Sequence, residues 1–279
     1  MTNTPRTWLI TGVSSGFGRS LAQAVLARGE RVIGTVRQAP QVVEFMMQAP
    51  GRSFAVRLDM TDSEAVTREL GAAIERAGGI DVLVNNAGYG MTGAVEEVSQ
   101  AEARHQMETN FFGTLAAIQA ALPFMRARRH GHILNFSSIA GIQGIPGMAL
   151  YNASKFAVEG LSEGLAAELK DMGIKVSIVA PGSFRTAFAG RSILRAEREI
   201  AAYADTAGQV RHNIAHLDGT QAGDPDKAAQ ILIDLVDSPT PPLRLALGAD
   251  SVATVRRKLH KLESELSAWE AVSNSTAFD

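Results

Sequence analysis

The chain has no cysteine in its 279 residues, so disulfides, thiolate catalysis and cysteine-ligated metal are excluded. No apolar run approaches the roughly 18–20 residues that a membrane span needs. Neither sign of charge dominates: 27 Lys and Arg against 29 Asp and Glu leave a net −2, with no bulk pull toward nucleic acid or an anionic membrane. Met1 to Arg6 lack the apolar core of a signal peptide. What the chain does have is 46% hydrophobic content, enough for a sizeable core. The expectation is a cytoplasmic protein with no membrane span and no nucleic-acid partner.

Short apolar runs alternate with helical patterns. Thr7 to Thr11, Arg31 to Val36, Ser53 to Leu58, Asp81 to Asn85, His132 to Phe136, Lys175 to Ala180 and Leu243 to Leu247 read as strands. A helical pattern through Leu21, Val25 and Leu26 stops at Gly29. Thr61 and Glu64 have capping-box spacing for a helix reaching about Ala77, and Ser99 and Glu102 for a long helix toward Arg128. Another helix starts near Tyr151 and ends at Gly173. After Pro181 the rhythm breaks until Asp224-Pro225 opens a helix with Pro at its first position. Ser251 to Val272 is amphipathic, with Val252, Val255, Leu259, Leu262, Leu266 and Trp269 at helical spacing. The alternation predicts an α/β, doubly wound fold: a seven-stranded parallel sheet with helices on both faces. With no interdomain linker, residues 1–250 read as one domain and 251–279 as its helical extension.

A sheet of this kind binds ligand at the carboxyl ends of its strands. Gly12, Asn85, Ser138 and Pro181 all fall there. The turn holding Gly12, Gly16 and Gly18 lets backbone N–H groups approach a pyrophosphate at a helix N-terminus, although its spacing is not Gly-x-Gly-x-x-Gly; alone it also reads as a tight strand-to-helix turn. The same turn, Gly12-Val13-Ser14-Ser15-Gly16, matches the nucleophile elbow of serine hydrolases, but the eleven residues before Gly12 leave no room for an upstream oxyanion loop. Tyr151 and Lys155 share one helical face, and a fixed cation pulls a phenol's pKa down, which makes Tyr-x-x-x-Lys a general acid/base. His130 and His132 have no acid nearby in sequence and read as surface, so no metal is expected.

Together, Thr11-Gly12-x-x-x-Gly16-x-Gly18, Asn85-Asn86-Ala87-Gly88, Asn110, Ser138, Tyr151-x-x-x-Lys155 and Pro181-Gly182 resemble the short-chain dehydrogenases/reductases in order and spacing, over about residues 6 to 250. The Phe-Arg-Thr after Pro181-Gly182 and the last helix resemble the branch holding 17β-hydroxysteroid and retinol dehydrogenases. The resemblance implies a Rossmann-type fold and a hydride transfer between a nicotinamide cofactor and a ketone, aldehyde or secondary alcohol. It implies Tyr151 as proton donor or acceptor, Lys155 as its tuner and a bond to the nicotinamide ribose, Ser138 on the substrate oxygen, and Asn110 holding a relay water. Read from the residues alone, Asn110 could instead satisfy a helix kink and Ser138 could be a cap. For the cofactor it implies Gly12, Ser14, Ser15, Gly16, Phe17 and Gly18 at the phosphates, Asp59 and Met60 at the adenine, Asn86, Ala87 and Gly88 along its path, and Pro181, Gly182, Phe184 and Thr186 at the carboxamide.

A carboxylate at the end of the second strand would repel a 2′-phosphate. Val36 stands there and Arg37 follows, so NADP(H) is expected over NAD(H), unless Arg37 only stacks on adenine. Tyr89, Met91, Ile142, Ile145, Met148, Phe184 and Phe188 are candidate pocket residues and suggest a hydrophobic substrate. Residues 187–223 read as the substrate lid, with Arg191, Arg195, Tyr203 and His212 able to sense an acidic group. Small residues on the helices Ser99–Arg128 and Tyr151–Met172, together with the resemblance, imply a homodimer. A non-catalytic NADP(H) sensor on the same fold is the alternative, and it would show a broken catalytic set.

Overall fold

Trp8, Leu9 and Ile10 are wholly buried, as a central parallel strand covered on both faces must be. The computed structural model describes residues 5–278. In chain order its strands are β1 (Thr7–Ile10), β2 (Arg31–Val36), β3 (Ser53–Arg57), β4 (Val82–Asn85), β5 (Gly90–Thr92), β6 (Gly131–Phe136), β7 (Ile174–Pro181), β8 (Ile193–Arg195) and β9 (Arg244–Leu247). Seven of them form one parallel sheet in the order β3-β2-β1-β4-β6-β7-β9, while β5 and β8 pair as a separate parallel ribbon. The helices are α1 (Gly16–Ala27), α2 (Ala39–Met46), α3 (Ser63–Ala77), α4 (Gln100–Met107), α5 (Gly113–Arg128), α6 (Ala149–Leu169), α7 (Gln209–Leu217), α8 (Pro225–Asp237) and α9 (Ala249–Ser273).

Side chains alternate across each strand. Trp8 and Ile10 therefore pack on one face with α1, α2 and α8, and Leu9 on the other with α3, α5 and α6. This is the doubly wound, Rossmann-like single domain that the alternation predicts. Strand order runs outward from β1 to β2 and β3, then resumes on the other side with β4, which leaves a crevice at the carboxyl ends of β1 and β4.

The sequence reading differs from the structure at several places. Asp62, not Thr61, caps α3, because its carboxylate accepts from Ala65 N at 2.9 Å. Ser99 and Glu102 do form their capping box, and Asp224 caps α8 with Pro225 at the first turn. The long helix toward Arg128 is interrupted by a π-turn at Glu108–Phe112, which divides it into α4 and α5. The helix α2, the β5–β8 ribbon and α7 carry no sequence signal strong enough to be anticipated. Among the described residues, no helix is long and apolar enough to cross a membrane.

Candidate active site

The turn after β1 fits a phosphate group. Gly12 and Gly16 have φ of +75° and +54°, conformations that side-chain-bearing residues resist. A Cβ on Gly18 would overlap the Gly12 carbonyl oxygen, so only glycine lets α1 come this close. Ser15 caps α1 without a side-chain hydrogen bond, which leaves the N–H groups of the first turn without a side-chain acceptor. Ser14, Ser15, Gly16 and Phe17 are all partly exposed. This cradle suits the pyrophosphate of a dinucleotide.

Thr11 ties the cradle to β4. Its hydroxyl oxygen accepts from Asn86 N at 3.0 Å and Ala87 N at 2.9 Å. The Asn86 amide donates to the carbonyls of Thr11 and Gly12 at 2.8 and 3.1 Å. Asn86 thus holds the turn with its amide hydrogens, while Ala87 is partly exposed and Gly88 exposed. At the far end of the crevice Val36 is buried and Arg37 is exposed. Asp59 accepts from Thr61 N and Oγ1 at 3.0 and 2.9 Å. The Thr61 backbone bond holds its carboxyl below the usual range against burial, with Arg37 and His105 adding to the effect. Met60 is 5% exposed and packs into the core against α5 rather than standing open to a ligand.

On the other side, Pro181 ends β7 and Gly182 N donates to Leu247 O at 2.9 Å. Phe184 packs on Phe17, and Phe17 on Phe136, with ring centroids 4.9 and 5.4 Å apart. Thr186 lies against Gly16. Phe184, expected in the substrate pocket as well as at the cofactor, belongs to the core cluster under α1.

The four catalytic candidates come from three elements: Asn110 from the π-turn, Ser138 from the turn after β6, and Tyr151 with Lys155 from α6. Asn110 sits inside the π-turn, 1% exposed; its amide donates to Tyr89 O and Ser154 Oγ, each at 3.0 Å, and its oxygen accepts from Tyr89 N at 3.1 Å. Its side chain therefore satisfies the Tyr89 main chain, not its own kink, and fixes the loop after β4 to α6. A Cβ on Gly88 would lie 3.0 Å from Asn110 Oδ1 and 3.6 Å from Lys155 Nζ, so these three groups converge. Ser138 caps the 3-10 turn Ile139–Gly141, its Oγ accepting from Ala140 N at 3.1 Å. Tyr151 opens α6, 5% exposed, with Phe188 packed 5.5 Å away. Lys155 Nζ donates to Phe136 O at 2.8 Å and lies 5.9 Å from the centre of the Tyr151 ring.

The electrostatics of this pair differ from the sequence expectation. Burial pushes the Tyr151 phenol up to about 12, with Ser138 opposing in part. Burial also pulls Lys155 down to about 8, although Glu159 one turn on favours its charge. In the protein alone, burial is the dominant influence on the Tyr151 phenol. Tyr151 is therefore firmly protonated at neutral pH, the state a proton donor needs.

Around Tyr151 gather Met148, Ile145 and Phe188, joined by Ile193, Val210 and Ile214 from the 187–223 segment. Met91 is buried in β5, Ile142 is partly buried, and the Tyr89 ring lies 5.7 Å from His105 with its hydroxyl lacking a partner. Burial, with Glu102 adding, pushes that hydroxyl up to about 12. Of the polar residues expected to sense an acidic group, Tyr203 instead donates to Glu96 at 2.9 Å and His212 packs on His216. Arg191 and Arg195 are exposed.

Sequence reasoning missed the parts that hold the site in place. Asn152 donates to Ala140 O at 2.7 Å and Gln143 O at 3.0 Å and accepts from Ile145 N, so it clamps the loop carrying Ser138. Asn152 and Ser154 could have been found as buried-side polar residues flanking Tyr151. Glu97, with a fully buried side chain, accepts from Arg211 at 2.6 Å, Ala94 N at 2.7 Å and Ile200 N at 2.8 Å. Burial would raise its pKa, but the bonds from Arg211 and the two backbone groups hold it at about 2. No local pattern announces a pair 114 residues apart.

Comparison with known proteins shows the family. The short chain dehydrogenase family model matches residues 6–196. The 3-ketodihydrosphingosine reductase of Bacteroides thetaiotaomicron is 39% identical over 88% of this chain and 88% of its own length. Retinol dehydrogenase 8 of Bos taurus is 35% identical, covering 88% of this chain and 82% of its own. A short-chain dehydrogenase crystal structure from Streptomyces avermitilis superposes with a TM-score of 0.92 at 41% identity, covering 99% of this chain and 100% of that one. ElxO with NADP bound superposes at 0.69 with 28% identity, covering 85% and 93%. A cradle for a dinucleotide, a buried Tyr-x-x-x-Lys beside a serine, and relatives of this extent place the chain in the short-chain dehydrogenase/reductase family of oxidoreductases.

Proposed function

We propose that the protein is an NADP(H)-dependent reductase of hydrophobic ketones or aldehydes, reversible toward the secondary or primary alcohol. The observation that carries this reading is the convergence of Ser138, Tyr151 and Lys155 beneath an apolar cluster at the strand ends. When bound, the cofactor supplies the hydride. Ser138 Oγ and the Tyr151 hydroxyl hold the substrate carbonyl oxygen, and Tyr151 gives it a proton as negative charge builds there. Lys155, four residues on, faces the nicotinamide ribose and replenishes the Tyr151 proton, while Asn110 shapes the loop through which solvent is reached. Phe188, Met148 and Ile145 exclude water and set the preference for apolar groups. Residues 187–223 act as the lid over them, supported by Phe188 against Tyr151 and by the β5–β8 ribbon.

The NADP(H) preference rests on Arg37, exposed beyond a β2 whose last residue carries no carboxylate. A guanidinium there pairs a 2′-phosphate. The remaining cofactor contacts run from the Gly12–Gly18 cradle past Ala87 and Gly88 to Pro181, Gly182 and Thr186. A homodimer through α5 and α6 is supported by Phe112 and Phe156, exposed at 41% and 44% on adjoining helix surfaces. Balanced charge supports action on a small molecule rather than nucleic acid, with the cytoplasm as the expected compartment. The test is NADPH oxidation followed at 340 nm over a panel of ketones and aldehydes of graded size. Turnover that rises with apolar size supports the reading; tight NADPH binding with no turnover on any carbonyl would favour a sensor.

A further inference from the structure

The helix α9 runs for 25 residues, but only its beginning lies on the domain. Ser251 donates its hydroxyl to Ala180 O at 2.7 Å and Thr254 is buried, while every described residue from 259 onward is exposed. That free stretch is not polar. Leu259, Leu262, Leu266 and Trp269 are 62%, 46%, 61% and 65% exposed. With Val252 and Val255 they recur at alternating steps of three and four residues, the a/d repeat of a two-helix seam. Positions away from the seam hold Arg257, His260, Lys261, Ser264 and Ser267. An apolar stripe of this length and regularity marks an interaction surface.

The charges decide the occupant. Arg256, Arg257, Lys258 and Lys261 occupy the first half of the helix, and Glu263, Glu265 and Glu270 the second. A parallel copy in register would set like halves together and put Glu265 beside the partner's Glu270. An antiparallel copy sets the basic half on the acidic half. It also fills every layer of the seam at once: Val252 on the partner's Trp269, Val255 on the partner's Leu266, and Leu259 on the partner's Leu262. In that register the positions flanking the seam bring Lys258 to the partner's Glu265 and Arg256 to the partner's Glu263, each pair twice by symmetry. An anionic lipid surface is a poorer match, because three glutamates border the stripe. We propose that α9 binds α9 of a second copy of this chain as an antiparallel coiled coil. The domains then sit at opposite ends of the seam, so the pairing does not use α5, α6 or the catalytic groups.

The absence of native cysteine makes a direct test possible. In the full chain, Val255→Cys/Leu266→Cys should cross-link to a covalent dimer under mild oxidation. Either single variant should not, because like residues lie eleven positions, about 16 Å, apart across an antiparallel seam. Single variants that cross-link to themselves would show a parallel pair and overturn the proposal. In sedimentation equilibrium at micromolar concentration, Leu259→Glu/Leu266→Glu should halve the assembly mass with NADPH oxidation unchanged. Glu265→Lys should weaken association at least tenfold at low salt, and Lys258→Glu/Glu265→Lys should restore it. The idea fails if the unaltered chain and the Leu259→Glu/Leu266→Glu variant sediment alike. It also fails if α9 instead carries an unpaired chain onto phosphatidylcholine–phosphatidylserine vesicles.

Discussion

The Gly12–Gly18 turn and the 187–223 segment both reach the crevice at the strand ends, one at Gly16 and the other at Phe188 against Tyr151, yet different balances of contacts hold them. The turn is fixed by backbone: left-handed glycines, a helix start, and Thr11 and Asn86 bonded to main-chain groups a few residues from the strands they join. The segment has one backbone anchor, β8 on β5, and is otherwise held by side chains, above all the buried Glu97–Arg211 pair and the apolar residues that meet at Tyr151. Backbone fixing gives a rigid cradle for a cofactor whose shape does not vary. The segment proposed as the lid depends more on side-chain contacts, the Glu97–Arg211 pair chief among them.

The contrast can be tested first where the two regions meet. Tyr151→Phe removes the hydroxyl and its transferable proton and should cut turnover by about 10²- to 10⁴-fold while NADPH affinity, measured by fluorescence titration, stays within a factor of a few. A comparable loss of cofactor affinity would mean that Tyr151 belongs to the cradle rather than to the chemistry.

Arg211→Ala tests the cover. It leaves the Glu97 carboxylate buried and unpaired, a loss of about 3–5 kcal/mol where one partner of a buried pair is removed. Amide exchange should accelerate across residues 187–223 and leave β1 and α1 protected. Acid should do the same to the unaltered protein. Glu97 has a folded pKa of about 2, below its unfolded value, so its contribution is present above pH ~4.5 and is lost as pH falls toward 2. Exchange that rises equally in the cradle and the cover across that window would erase the distinction.

At the cradle, Arg37→Ala should cost NADPH about 1.5–3 kcal/mol of binding and leave NADH nearly unchanged. Isothermal titration with both cofactors reads the difference, and an equal loss for both would mean that Arg37 stacks on the adenine. The smallest effect expected is that of Thr11→Val, which strips an acceptor from Asn86 N and Ala87 N at a cost of about 1–3 kcal/mol, seen as a lower Tm. A Tm shift without loss of lid protection would confirm that the two regions are held independently.

The sequence by itself determined the seven-stranded sheet and pointed to the candidate catalytic positions. Period-two and period-3.6 burial patterns are local, and so are capping residues, glycine turns and the four-residue step from Tyr151 to Lys155. Some of its errors were also local: Thr61 was taken for the Asp62 cap, and the π-turn passed unseen because a single inserted residue barely disturbs helical periodicity. Others were not: His132, read as surface, is buried in β6 against Ser177. Only the tertiary structure decided that Asn86 braces the turn, that Phe184 and Met60 lie in the core, and that Asn152 clamps the Ser138 loop. It alone brought Glu97 to Arg211, and it alone placed Tyr151 where burial pushes its phenol up. Desolvation and long-range pairing depend on what surrounds a group in space, and one-dimensional spacing does not record that.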